Sequence, residues 1–222
     1  MKLLVVNPNT TVSVTELLAR RIGAAVGASA EVEAITARFG AAYIASEASY
    51  VVAAHAALDA CSAHCEAHGR PDAIIVGCFG DPGVFALREA LALPVIGLAE
   101  AAMREAATHG RFAIVTGGAA WGPMLMRLAR ALDLADRLAT VEIVAATGAE
   151  LAADPERAVV TLADACARAA KGVDAVVLGG AALAGMGEPI TSRLTSMLAP
   201  KFALPLIDSV DAAARGALAA LR

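Results

Sequence analysis

The segment AIIVGCFGDPG, residues 73–83, runs through four consecutive apolar residues, places Cys78 just past Gly77, and closes on Asp-Pro-Gly. An unbroken apolar run bounded by turn residues reads as a strand buried on both faces, the kind found in parallel sheets. The second half of the chain repeats the pattern as AVVLGGAALAG from residue 175, with Gly180 where the first copy carries Cys78. The flanking segments repeat too. KLLVVNPNT matches RFAIVTGGA, and LPVIGLAEAA matches LPLIDSVDAA, in the same order and at offsets of about 100 to 110 residues.

Short runs rich in Val, Ile and Leu alternate with longer alanine-rich stretches of helical period, the signature of βα units on a mostly parallel sheet. The runs predict eight strands near 2–6, 30–36, 73–77, 94–97, 111–116, 140–145, 174–178 and 204–207. The fold class is therefore α/β. Two pseudo-symmetric lobes are expected, 1–105 and 106–222, each a four-stranded sheet flanked by helices, packed as one unit with a cleft between them. Helix starts are expected at Ser13 with Glu16, which have capping-box spacing, and at Asp81-Pro82 and Asp154-Pro155, where an acceptor precedes proline.

Composition narrows the function. The chain has 222 residues, 58% of them hydrophobic, but charged residues recur too often for an uncharged membrane-spanning run. Net charge is −4, without a basic cluster, which argues against a nucleic-acid partner. Four scattered cysteines show no secreted framework and suit free thiols in a reducing cytoplasm. No P-loop or GxGxxG fingerprint follows any predicted strand, so nucleotide binding is set aside.

In open parallel sheets ligands bind beyond the carboxyl ends of the strands. The loops NPNT, GCFGDPG, TGGAA and GGAALAG all fall there. Cys78, ahead of a helix expected near Pro82, is placed for its thiol to be drawn toward the thiolate and alkylated near neutral pH; a buried structural cysteine is the plainer reading. Asn7, Asn9 and Thr10 offer amides and a hydroxyl to a carboxylate or imide, and Thr116 with Gly117 does so from the second half, although turning the chain and capping a helix would account for these residues as well. The backbone N–H groups of Phe79, Gly80, Gly180 and Ala181 are candidates for an enolate oxygen. Tyr43 and Ile44 are candidate pocket walls, or core. The run CSAHCEAH puts Cys61, His64, Cys65 and His68 on one helix face, yet a rise of about 1.5 Å per residue spreads them too far for one tetrahedral zinc.

Taken together, NPNT, VGCFGDPG, LPVIGLAEAA, HGRFAIVTGGAAW and LPLIDSV resemble the aspartate/glutamate/hydantoin racemase superfamily, in its hydantoin and allantoin racemase branch. The matches run from residue 3 to about residue 210. The resemblance implies a small-molecule substrate (hydantoin, allantoin or amino-acid-like), no metal and no organic cofactor, and a homo-oligomer; from the charge pattern, no membrane partner is expected. It also implies two cysteines, one per lobe, on opposite faces of the reacting carbon. The first maps onto Cys78; the second maps onto Gly180, which has no proton to give. A single-cysteine decarboxylase of the same superfamily, or a carboxylate- or imide-binding protein without turnover, are the alternatives.

Overall fold

Successive residues of a strand point to opposite sheet faces, and here both faces are apolar. In β1 (Lys2–Asn7), Leu3 and Val5 enter one core cluster and Leu4 and Val6 another. In β5 (Phe112–Gly117), Phe112 and Ile114 divide from Ala113 and Val115 in the same way. Sheets buried on both sides need helices on both sides.

The structure, a computed structural model, describes residues 1–198 and 204–221. Strands β1, β2 (Glu31–Thr36), β3 (Ala73–Val76) and β4 (Val95–Gly97) form one parallel sheet in the order β2-β1-β3-β4. Strands β5, β6 (Leu138–Val144), β7 (Ala175–Gly179) and β8 (Leu206–Asp208) form its counterpart, β6-β5-β7-β8. The two sheets share one topology. Val6 pairs with Val76 in the first, and Thr116 with Gly179 in the second, so the loops that follow these strands emerge side by side.

The helices are α1 (Val12–Val26), α2 (Glu47–His68), α3 (Val84–Leu91), α4 (Leu98–His109), α5 (Trp121–Ala131), α6 (Gly148–Ala153), α7 (Pro155–Ala169), α8 (Gly187–Leu198) and α9 (Ser209–Ala220). α2 and α3 cover the outer face of the first sheet, α7 and α8 that of the second. Between the sheets lie α1, α4, α5 and α9, and two of these cross over. α4 follows β4 but packs on β5 and β7, while α9 follows β8 but packs on β3 and β4. Residue 105, the expected lobe boundary, falls within α4. Close approach of the two helices is permitted by their small buried residues, Ala99, Ala102 and Ala106 on α4 and Ala213, Ala214 and Ala217 on α9. Ion pairs from Arg215 to Glu105 at 2.9 Å and Arg21 to Asp211 at 2.8 Å border this seam. Both pairs are partly exposed and each adds at most about 1 kcal/mol, so apolar burial dominates there.

All eight expected strands are present, each end within about two residues of its predicted place, the ordinary scatter of strand ends. Two helix starts differ. α1 begins at Val12, with Thr11 at the N-cap and no side-chain cap, so Ser13 with Glu16 is not a capping box; the asparagines of the preceding loop tie the chain down earlier. α3 begins only at Val84, after Gly83 at φ 81°, so Asp81 does not cap it. The Asp154-Pro155 start stands, with Asp154 accepting the Arg157 N–H at 3.1 Å. His64 and His68 stack with ring centroids 4.8 Å apart, Cys61 lies in the core beneath, and among the described residues no three His, Cys, Asp or Glu side chains converge as a metal site. All four cysteines are free. No described helix is long and apolar enough to cross a membrane.

Candidate active site

A cavity of about 100 Å³ lies where the two sets of strand-end loops meet, and both lobes contribute to its wall. Cys78 lines it from the loop after β3, buried to 7% exposure. Asn9 comes from the loop after β1, Thr116 and Gly117 from the end of β5, and Gly180 with Ala181 from the loop after β7. Tyr43 and Ile44 close it from the segment between β2 and α2, and Phe79 stands beside the cysteine.

Three expected residues are elsewhere. Asn7 is fully buried below the wall, where its side-chain amide nitrogen shares its two protons among three acceptors, Asn9 Oδ1 at 2.9 Å, the Thr11 carbonyl at 3.0 Å and Thr15 Oγ1 at 3.0 Å. Its own oxygen accepts the Asn9 N–H at 3.2 Å. Asn7 thus has no group left for a ligand and instead shapes the loop that presents Asn9. Thr10 is outside the lining and donates its backbone N–H to Ala41 at 3.2 Å. Gly80 is also outside it: its carbonyl accepts the Tyr50 hydroxyl at 2.8 Å, and a Cβ there would run into the Trp121 ring.

Hydrogen bonds limit what the lining can offer. Thr116 Oγ1 gives its proton to the Gly179 carbonyl at 2.8 Å, so toward a ligand it is an acceptor. The Gly180 N–H points to Ser209 Oγ at 3.4 Å, a weak contact. Asn9 Oδ1 accepts from both Asn7 and the Thr11 N–H, whereas its amide nitrogen has no partner among the described residues and is free to donate. The Phe79 and Gly80 N–H groups likewise meet no acceptor among the described residues.

The electrostatics of Cys78 run opposite to expectation. The following helix starts only at Val84, six residues past the cysteine, and the Cys78 N–H is spent on the Val76 carbonyl at 2.9 Å. Burial pushes the thiol pKa up from the ordinary cysteine value, and the nearby Asp81 carboxylate adds to it. The environment therefore favours the thiol form of Cys78 and makes its conjugate base the stronger for it.

Asp81 itself, 1% exposed, reaches across to α4 and accepts the Ala99 N–H at 2.8 Å and the Glu100 N–H at 2.7 Å. Burial pushes its pKa up to about 7, against the pull of those two N–H groups. In the second lobe the same duty falls to Asp208, which caps its own helix α9 through the Val210 N–H at 2.9 Å and holds the Gly185 N–H at 3.0 Å. The repeat aligns Gly97 with Asp208, and a Cβ on Gly97 would land on the Asp81 carboxylate. One carboxylate position is thus filled from two different points of the chain.

The sequence profile named Asp/Glu/Hydantoin racemase matches residues 3–217. The chain belongs to this racemase family. A hydantoin racemase of Paenarthrobacter aurescens is 30% identical over 97% of this chain and 89% of its own length. The structure of an allantoin racemase from Pseudomonas fluorescens superposes with a TM-score of 0.86 at 29% identity, covering 99% of this chain and 90% of that one. An allantoin racemase from Klebsiella pneumoniae gives 0.86 at 30% identity, over 100% and 88%. By class the protein is an isomerase of the racemase type. Within this racemase frame Gly180 is the departure noted above. It sits at φ 149°, and a Cβ there would come within 3.1 Å of Leu183, so a cysteine at this position would need the backbone to turn and Leu183 to yield.

Several wall residues escaped sequence reasoning. Thr11 and Val14 belong to the start of α1, and Gly148 and Ala149 to α6, a short helix that goes unrecognised because Asp154-Pro155 is the more visible start signal. Its marker was present: Thr147 and Glu150 form a capping box. Trp121 follows TGGAA directly and packs edge-to-face on Tyr50, with ring centroids 6.4 Å apart. Gly179 touches the cavity because the Phe79 ring lies over it, where its own Cβ would be. Gly179→Ala is expected to displace Phe79 and cost about 1–3 kcal/mol, as overpacking does, read as a lowered denaturation midpoint with an unchanged slope.

Proposed function

We propose that the protein inverts an activated carbon centre in a neutral, hydantoin-like ring, with Cys78 moving the proton at one face and without a metal or organic cofactor. One observation carries this reading: among the described residues, the cavity wall holds no Lys, Arg, His, Asp or Glu, and its ionisable groups are Cys78 and Tyr43. Burying a substrate carboxylate without a cation or a full set of donors is costly. A neutral imide ring asks only for hydrogen bonds to its carbonyl oxygens, and the Asn9 amide with the backbone N–H groups of Phe79 and Ala181 are candidates to supply them, Gly117 allowing close approach. The similar hydantoin and allantoin racemases support the same substrate class. The weakly acidic carbon of such a ring matches a thiol whose conjugate base is strong.

The test is incubation in D2O with separate enantiomers of 5-substituted hydantoins and of allantoin, with aspartate and glutamate alongside, following deuterium at the reacting carbon and optical rotation. Deuterium uptake with loss of rotation on the ring substrates is the expected result. Turnover confined to the amino acids would overturn the ring assignment, and no exchange on any substrate would favour a decarboxylase or a binding protein.

A further inference from the structure

Inversion needs a proton carrier at each face of the carbon, and position 180 has none. We propose that the Tyr43 phenol is the second carrier, facing the substrate from the side opposite Cys78. This rests on the racemase reading given above and assigns its missing acid.

The choice follows from what the wall contains. Besides Cys78, the lining residues with an exchangeable side-chain proton are Asn9, Thr11, Tyr43, Thr116 and Trp121. Amide and indole N–H groups and alcohols are far too weak as acids, and both threonine protons are committed, Thr11 to the Ala42 carbonyl at 2.7 Å and Thr116 to Gly179 at 2.8 Å. Among the described lining residues the phenol is therefore the one group besides the thiol able to act as a general acid.

Position agrees with chemistry. Tyr43 is supplied by the first half of the chain, but its ring leans on the second lobe. Its oxygen accepts the Gly148 N–H at 3.1 Å, and a Cβ built on Gly148 would stand 3.4 Å from the Tyr43 ring and 3.5 Å from Ala182, two residues beyond Gly180. Tyr43 therefore occupies the neighbourhood of the absent cysteine, while Cys78 belongs to the loop of the first sheet. No described residue accepts the phenolic proton, which leaves it for a ligand, and the Gly148 N–H is placed to hold the oxygen's charge once that proton has gone. The segment is held over the cavity by Thr10 N–H to Ala41, by Thr11 to Ala42 and by the burial of Ile44.

In the step so described, the Cys78 thiolate takes the proton from one face, forming S–H as C–H breaks, and the electron pair passes into the adjacent carbonyl as an enolate. The Tyr43 O–H then breaks to form the new C–H on the other face and leaves a phenolate. Proton exchange with water, or the reverse reaction, restores the starting state.

Tyr43→Phe and Cys78→Ala are to be compared with wild type by deuterium exchange on each enantiomer of one 5-substituted hydantoin. Tyr43→Phe is expected to lose inversion by about 100-fold or more, the scale of one general acid, and to lose exchange from one enantiomer while keeping it from the other. Cys78→Ala is expected to show the mirror pattern. Equal losses for both enantiomers in Tyr43→Phe would reduce the residue to positioning and overturn the assignment, as would inversion at the wild-type rate. Wild type that exchanges no substrate would instead end the racemase reading and this inference with it.

Discussion

Cys78→Ala is expected to abolish inversion of a ring substrate, with a loss of about 10³-fold or more, while ligand affinity stays within a few-fold. The thiol is one of two titratable groups on the wall, and no other described lining residue can take its proton at that face. Loss of a single general base costs about 10²–10⁴ in rate. Binding persists because it rests on hydrogen-bond donors and apolar walls that the substitution leaves in place. The pH dependence follows from the raised thiol. Since burial first, and the Asp81 charge second, hold its pKa above the ordinary value, the thiolate fraction keeps increasing through the alkaline range, and the rate with it. Alkylation by iodoacetamide should be slow at pH 7 and accelerate over the same range. A rate profile that levels off below pH 8, or full activity in Cys78→Ala, would remove the cysteine from the mechanism.

Asp81→Gly is expected to destabilise the fold by about 2–3 kcal/mol, because two buried N–H groups at the start of α4 lose their acceptor and each unsatisfied buried group costs about 1–3 kcal/mol, offset in part by relief of the buried carboxylate. Gly97→Asp alone should also be destabilising, since its side chain would occupy the space of Asp81. The exchange double variant, Asp81→Gly with Gly97→Asp, rebuilds the arrangement Asp208 already uses in the second lobe, and is expected to return within about 1 kcal/mol of wild type, the size of a capping interaction. Urea midpoints of the four proteins form a double-mutant cycle; additive losses would contradict a shared carboxylate position. The pH effect has a definite sign. A carboxyl at about 7 in the fold against 3.8 unfolded contributes stability that is full below about pH 4 and lost as pH rises through 7. The gap between wild type and Asp81→Gly should therefore narrow between pH 4 and pH 8.

Much of this molecule is legible from residue order. Apolar runs such as AIIV and AVVL, each ended by glycine, are enough to place the strands, because burial on both faces leaves a continuous pattern that no turn or exposed helix shares. The internal repeat identifies two similar sheets, and it brings together in advance the loops that carry Cys78, Asn9, Thr116, Gly117, Gly180 and Ala181. Less is legible wherever a side chain acts on a distant element. Asp81-Pro82 has the local chemistry of a helix start, yet Asp81 takes φ 57° and caps α4 instead, accepting the N–H groups of Ala99 and Glu100. Asn7 and Asn9 look equivalent in NPNT; one is consumed inside the loop and the other faces the cavity.

Chain chemistry by itself determined the α/β class, the duplication and the strand-end loops, because all of these depend on short-range periodicity and residue type. Tertiary structure alone decided the crossing of α4 and α9 between sheets, the raised pKa of Cys78 and the closure of the cavity by Tyr43. These depend on burial and on contacts between residues far apart in sequence, where the cost of desolvating a charge and the reach of a single hydrogen bond outweigh any local preference.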